Sequence, residues 1–160
     1  MSNWHKRMGI ILRTARMSED ASTQNAADIL FPDGGAIAGL NEVPFRLERT
    51  ADRNERPRKY FFWEHAERAA IYSCVRSGIP TNGATMVCPW AACADCARAI
   101  VLSGIVRLVR LPHNDWSSHP RWAESCRAGD DIMRESGVEI VEVEGHWGIK
   151  LLRDGVLKEF

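Results

Sequence analysis

The chain has 160 residues, 21 Lys plus Arg against 21 Asp plus Glu, and 45% hydrophobic residues. That length suits one domain spanning residues 1–160, with apolar content enough for a real core. Charge neutrality gives no overall pull on a polyanion and argues against a nucleic-acid partner. No run of about 18 or more apolar residues appears, which argues against a membrane span. The first eight residues are polar and lack a signal-peptide core. Five cysteines, an odd number, suit reduced thiols in a cytoplasmic protein.

Trp4, Met8, Ile11, Leu12 and Ala15 recur at helical spacing, so residues 4–17 are expected to be a helix with one buried stripe. Residues 26–31 and 36–40 read as antiparallel strands joined at Pro32-Asp33-Gly34-Gly35. Residues 41–62 form a long Arg- and Glu-rich segment. A connection this long in a compact domain is usually functional, and this one leads straight to His65, so it is expected to wall a site. Helices are then expected over 64–77, 93–103 and 119–136, closed by Gly78 and Gly137 in the first and last cases. Strands are expected over 84–87, 105–111 and 138–143. Alternation of this kind implies parallel strands covered by helices, with ligands bound beyond the carboxyl ends of the strands, where Cys93 falls. Asp154-Gly155 marks a hairpin within 146–160 that the pattern does not place.

Two short stretches carry the chemistry. Cys93 and Cys96 lie three residues apart at a helix start, so both sulfurs can aim at one point. The helix dipole there favours thiolate, and a soft divalent metal suits such a pair. By itself the pair also fits a redox couple or half of a zinc ribbon. His65-Ala66-Glu67 opens another helix. Two residues make about 200° of rotation, so His65 and Glu67 do not share a face. The reading is that His65 ligates while Glu67 lies beside an open fourth position. One His, two Cys and an open position is the pattern of catalytic zinc, and H-x-E with P-C-x-x-C is the zinc-deaminase signature, matched here except that Ala92 stands in place of the proline.

With these residues in place, the sequence resembles the deoxycytidylate (dCMP) deaminases of the zinc-dependent cytidine deaminase superfamily. The resemblance runs through Asp33-Gly34, Gly39-Leu40-Asn41 and Pro44, and Glu55-Arg56-Pro57 with Lys59-Tyr60. It continues through His65-Ala66-Glu67-Arg68, Trp90 with Cys93-Ala94-Asp95-Cys96-Ala97, His119-Pro120-Arg121-Trp122 and Gly137-Val138-Glu139. Ala91 and Ala92 stand where the family has paired prolines, Leu40 where it has tyrosine and Glu42 where it has glycine.

The resemblance implies an α/β, three-layer fold with a five-stranded mixed sheet and helices on both faces. It implies Zn²⁺ on His65, Cys93 and Cys96, and Glu67 as the catalytic carboxylate of a hydrolase converting dCMP and water to dUMP and ammonia. Asn41, Ala66 through its N–H, and Trp90 are the implied substrate contacts. The candidates for a 5′-phosphate are Arg46, Arg49, Arg53, Arg56, Arg58 and Lys59, with Ser22 and Thr23. The resemblance also implies a homo-oligomer acting on a small nucleotide.

Plainer readings stand beside these. Asn41 is as readily a turn former, Trp90 a packed aromatic and the Arg-rich segment a solvated face. Cys74, Cys88 and Cys126 read as buried small hydrophobes. His5, His113, His119 and His146 receive no role. The competing functions are deamination of another cytosine nucleoside, modified nucleotide or polynucleotide, and a non-catalytic zinc-stabilised binding domain. The last would close the metal site with a fourth protein ligand such as Cys88.

Overall fold

A computed structural model of the chain describes residues 3–113 and 120–160. Its first helix, α1 (Asn3–Ala15), buries Met8, Ile11, Leu12 and Ala15, the stripe expected from their spacing. Strands β1 (Ala26–Leu30) and β2 (Ala36–Leu40) pair antiparallel, Ala26 opposite Leu40 and Leu30 opposite Ala36. The connection that follows contains two short 3₁₀ turns, Ala51–Asn54 and Arg58–Phe61.

The second half alternates as expected: α2 (Ala66–Ser77), β3 (Thr85–Val87), α3 (Ala94–Leu102), β4 (Arg107–Arg110), α4 (Pro120–Glu135) and β5 (Glu139–Glu142). Gly78 ends α2 in the left-handed conformation, φ 65°, which glycine adopts without a Cβ penalty. His119, expected to open α4, lies outside the described residues.

The main sheet has the order β2-β1-β3-β4-β5. Strand β3 runs antiparallel to β1 but parallel to β4, and β4 parallel to β5. The sheet is therefore mixed, and its strands alternate faces. Ala27, Ile29, Met86 and Leu108 point to the side covered by α2, α3 and α4, where they meet Ala70, Ile100 and Met133. Ala26, Val87 and Val109 point to the opposite side, against Met8, Ile11 and Leu12 of α1. The result is the expected three-layer α/β arrangement.

Two glycines set how closely the helices approach the site. A Cβ on Gly39 of β2 would lie 2.5 Å from Ala66 O and 2.8 Å from Ala69 C, and closer still to Ala70 N. Only glycine lets the first turns of α2 rest on β2 at that depth. A Cβ on Gly129 of α4 would overlap Ala92 O and lie 3.2 Å from Cys93 C. So α4 is seated directly on the cysteine loop.

The C-terminal segment forms a hairpin, β6 (Lys150–Arg153) and β7 (Val156–Glu159), turning at Asp154 and Gly155, both with positive φ. It docks onto residues 22–24: Gln24 N–H donates to Leu152 O at 2.9 Å, and Gly155 N–H to Ser22 O at 2.7 Å. Leu151 is fully buried beside α1. The sequence alone could not place this hairpin because its partner is a loop about 130 residues away, not a strand.

Candidate metal centre and catalytic cavity

His65 and Cys93 are not in the first turns of their helices, as the sequence suggested. Both sit at the N-cap in extended conformation (φ −79°, ψ 147° and φ −68°, ψ 167°), and neither caps its helix through its side chain. Cys96 follows in the first turn of α3. Since β3 runs into the cysteine loop, both helix starts converge beyond the carboxyl end of a central strand.

The convergence is close. His65 Nδ1 lies 3.6 Å from Cys93 Sγ and 3.5 Å from Cys96 Sγ. The three ligand atoms all fall within 4.8 Å of one another, and among the described residues no other group of three or more His, Cys, Asp or Glu has metal-holding geometry. Cys88 is not a fourth member: it is buried with its Sγ 3.6 Å from the Asn25 side chain. Three protein ligands of this type suit a catalytic rather than a closed structural zinc site.

Electrostatics prepare the thiols. Two helix N-termini face the cluster, and the Arg68 guanidinium sits 3.8 Å from Cys96 Sγ while also paired with Glu64. Hydrogen bonds from Cys96 and His65 hold the Cys93 thiol well below its ordinary pKa, and the same sharing pushes Cys96 up. A divalent cation would displace any proton shared by the pair, since it binds thiolates.

Glu67 is 3% exposed, and burial raises its pKa, opposed by the positive charge of His65. Its Oε2 is 3.5 Å from Asn25 Nδ2. His65, Cys93 and Glu67 line one cavity of about 230 Å³. Its other walls come from scattered segments: Asp20, Asn25 and Asn41, then Lys59, Tyr60 and Trp63 of the long connection, and Trp90, Trp122 and Arg153. The connection is thus a wall of the site, as its length and position suggested. Trp122 meets the His65 ring edge-on with centroids 5.6 Å apart and does the same with Tyr60, bracing the ligand.

The expected substrate contacts divide. Trp90 lines the cavity, with Nε1–H donating to Gln24 O at 3.2 Å and Phe160 against its ring. Asn41 also lines it, but its polar atoms have internal partners: Nδ2 donates to Thr23 O at 2.9 Å, and Oδ1 accepts the Ala66 N–H at 3.0 Å. Ala66 is fully buried, so its N–H reaches Asn41 and not the cavity. Of the six cationic candidates, Arg56 and Lys59 line the cavity and Arg46, Arg49, Arg53 and Arg58 do not.

Lys59 Nζ is bound to Asp20 at 2.5 Å, both side chains buried. Thr23 lines the cavity, and Ser22 Oγ accepts from Arg56 at 2.6 Å. Sequence reasoning missed Asn25, Cys126 and Arg153, and gave no role to His113, which also lines the cavity. Trp122 carried a signal, since it belongs to the His119-Pro120-Arg121-Trp122 block. Asn25 and Arg153 carried none.

A family model for the cytidine and deoxycytidylate deaminase zinc-binding region matches residues 2–111. An uncharacterized deaminase encoded in the luxG 3′ region of Aliivibrio fischeri is 30% identical over 141 residues, 88% of this chain and 93% of that protein. The deoxycytidylate deaminase of Enterobacteria phage T2 is 40% identical over 79 residues, 49% of this chain but only 38% of the phage protein. In fold, the chain is similar to the dCMP deaminase of cyanophage S-TIM5 solved with dCMP and dUMP. The TM-score is 0.70 at 20% identity, over 89% of this chain and 99% of that one. Taken with the His65, Cys93 and Cys96 cluster, these matches place the chain in the cytidine and deoxycytidylate deaminase family, whose zinc-binding region it carries.

Proposed function

We propose that the chain hydrolyses the amine of a cytosine deoxynucleotide, converting dCMP and water to dUMP and ammonia. One observation carries this reading: a buried carboxylate, Glu67, shares a cavity with a three-ligand His-Cys-Cys cluster. The phage deoxycytidylate deaminase match supports the substrate class. His65, Cys93 and Cys96 would hold zinc, which would supply acidification of the attacking water, from a pKa of about 16 toward about 7.

Glu67 takes the proton that the attacking water sheds and delivers it to N3 of cytosine. It then takes the proton of the new C4 hydroxyl and passes it to the amine, so the C4–N bond breaks, ammonia leaves and the C4 carbonyl forms; one carboxylate serves as base and then acid. Burial favours its protonated form, the form needed to donate. Asn25 holds Glu67 from one side. Trp90 walls the base, and Asn41 faces the sugar, with Ala66 steadying Asn41 through its N–H.

The test is ammonia release by zinc-loaded protein from dCMP, deoxycytidine, a modified cytosine nucleotide and single-stranded DNA. Absence of turnover on every cytosine substrate would overturn the enzyme reading.

We further read residues 1–160 as one domain that works as a homo-oligomer in the cytoplasm. The family resemblance supports assembly, which light scattering after gel filtration measures. Five free cysteines support a reducing compartment.

A further inference from the structure

Four lysine and arginine side chains line the catalytic cavity: Arg56, Lys59, Arg68 and Arg153. Three have a carboxylate partner. Arg56 meets Asp154 at 3.3 Å, Lys59 meets Asp20 at 2.5 Å, and Arg68 meets Glu64. Arg153 has no ion pair and no side-chain hydrogen bond among the described residues. Its guanidinium Cζ lies 4.3 Å from the centroid of the Trp90 ring. Burial there lowers its pKa. The neighbouring carboxylate of Asp154 is drawn instead toward Arg56 at 3.3 Å and Arg121 at 3.8 Å.

The backbone around Arg153 is fixed. Leu152 N–H donates to Gln24 Oε1 at 3.1 Å, and Asp154 N–H to Thr23 Oγ1 at 3.2 Å. The residues on either side of Arg153 are therefore both anchored to residues 23 and 24, of which Thr23 lines the cavity. A partly buried cation with no carboxylate in ion-pair contact is unfavourable. The cost is offset when a ligand brings the anion. A guanidinium stacked on an aromatic face keeps its N–H edges free, and those edges match the oxygens of a phosphate.

We propose that Arg153 receives the 5′-phosphate of the nucleotide, so that the C-terminal hairpin sets the preference for nucleotide over nucleoside. The hairpin lies outside residues 2–111, the part of the chain that the family model matches. This inference rests on the dCMP reading and is tested separately from it.

The experiment measures kcat/KM for dCMP and for deoxycytidine in the zinc-loaded full chain, Arg153→Gln and Arg153→Lys. Wild type prefers dCMP; a wild-type ratio near one removes the nucleotide reading itself. Arg153→Gln lowers the ratio of dCMP to deoxycytidine efficiency by about 30- to 100-fold, chiefly through KM for dCMP, as loss of a charged hydrogen bond predicts. Arg153→Lys keeps the charge on a packed stem and gives an intermediate ratio. An unchanged ratio in both variants overturns the inference. So does an equal fall on both substrates with a lower melting temperature, which assigns Arg153 to packing on Trp90.

Discussion

Gly39→Ala tests whether the catalytic geometry depends on how deeply α2 rests on the sheet. The added Cβ would meet Ala66 O at 2.5 Å and Ala69 C at 2.8 Å. Ordinary contact needs about 3.5 Å, so α2 and β2 must separate by about 1 Å. All the nearest atoms are helix backbone, so no rotamer change relieves the overlap. Gly39 also pairs with Ala27 of β1, and that ladder resists movement of the edge strand β2. The shift then falls on the start of α2, where His65 and Glu67 sit. Ligand sites tolerate roughly 0.5 Å of error, and a misplacement of about 1 Å can cost about 100-fold in rate.

Overpacking adds about 1–3 kcal/mol of destabilisation, a drop in melting temperature of roughly 3–10 °C for a chain this size. Ammonia release, zinc content and thermal unfolding measure the three effects. Wild-type turnover together with a melting temperature within about 1 °C of wild type would refute the claim that this glycine seats the active-site helix.

Glu67→Gln keeps the shape of the site but cannot shuttle a proton. Turnover on dCMP should fall by about 10²- to 10⁴-fold with zinc content unchanged; equal loss of zinc would make Glu67 a ligand instead. Chelation should expose Cys93, whose thiol is held low, to iodoacetamide at neutral pH. Cys126, pushed up to about 12 by burial, and Cys88, also pushed well above its ordinary value by burial, should stay unmodified by mass spectrometry; rapid labelling of Cys88 would contradict its burial. Arg110 is 1% exposed and makes a two-pronged bond to Asp130 at 2.5 and 2.9 Å while also reaching Glu142. Asp130→Ala should cost about 3–5 kcal/mol in urea unfolding by stranding that guanidinium; a loss under about 1 kcal/mol would show that Glu142 alone satisfies it.

Legibility in the sequence followed the range of the interaction. His65, Cys93 and Cys96 were readable because each motif is local: three residues separate the thiols, and both motifs open helices whose apolar spacing is plain. The order of helices and strands was readable for the same reason, since Gly78 and Gly137 mark their ends. The N-cap placement of His65 and Cys93 was not, because one residue at a helix end turns on tertiary contacts and not on propensity. Asn25 next to Glu67 was invisible, since 42 residues and two strand crossings separate them.

Arg153 was invisible for a further reason. Six cations crowd residues 46–59 and drew attention by density alone. Density is a poor guide to anion binding, because most of those cations are spent on nearby carboxylates and rings: Arg58 on Asp52, Arg49 on Glu19, Arg53 over Phe62. What marks a binding cation is the lack of an internal partner together with loss of water. That property belongs to the fold, since it depends on which carboxylates packing delivers and which it diverts. At the hairpin tip, packing diverts Asp154 to Arg56 and leaves Arg153 over Trp90 with no ion pair among the described residues. The chemistry of deamination is thus written in two local motifs, while the nucleotide preference proposed for Arg153 depends on the hairpin that packs across residues 22–24.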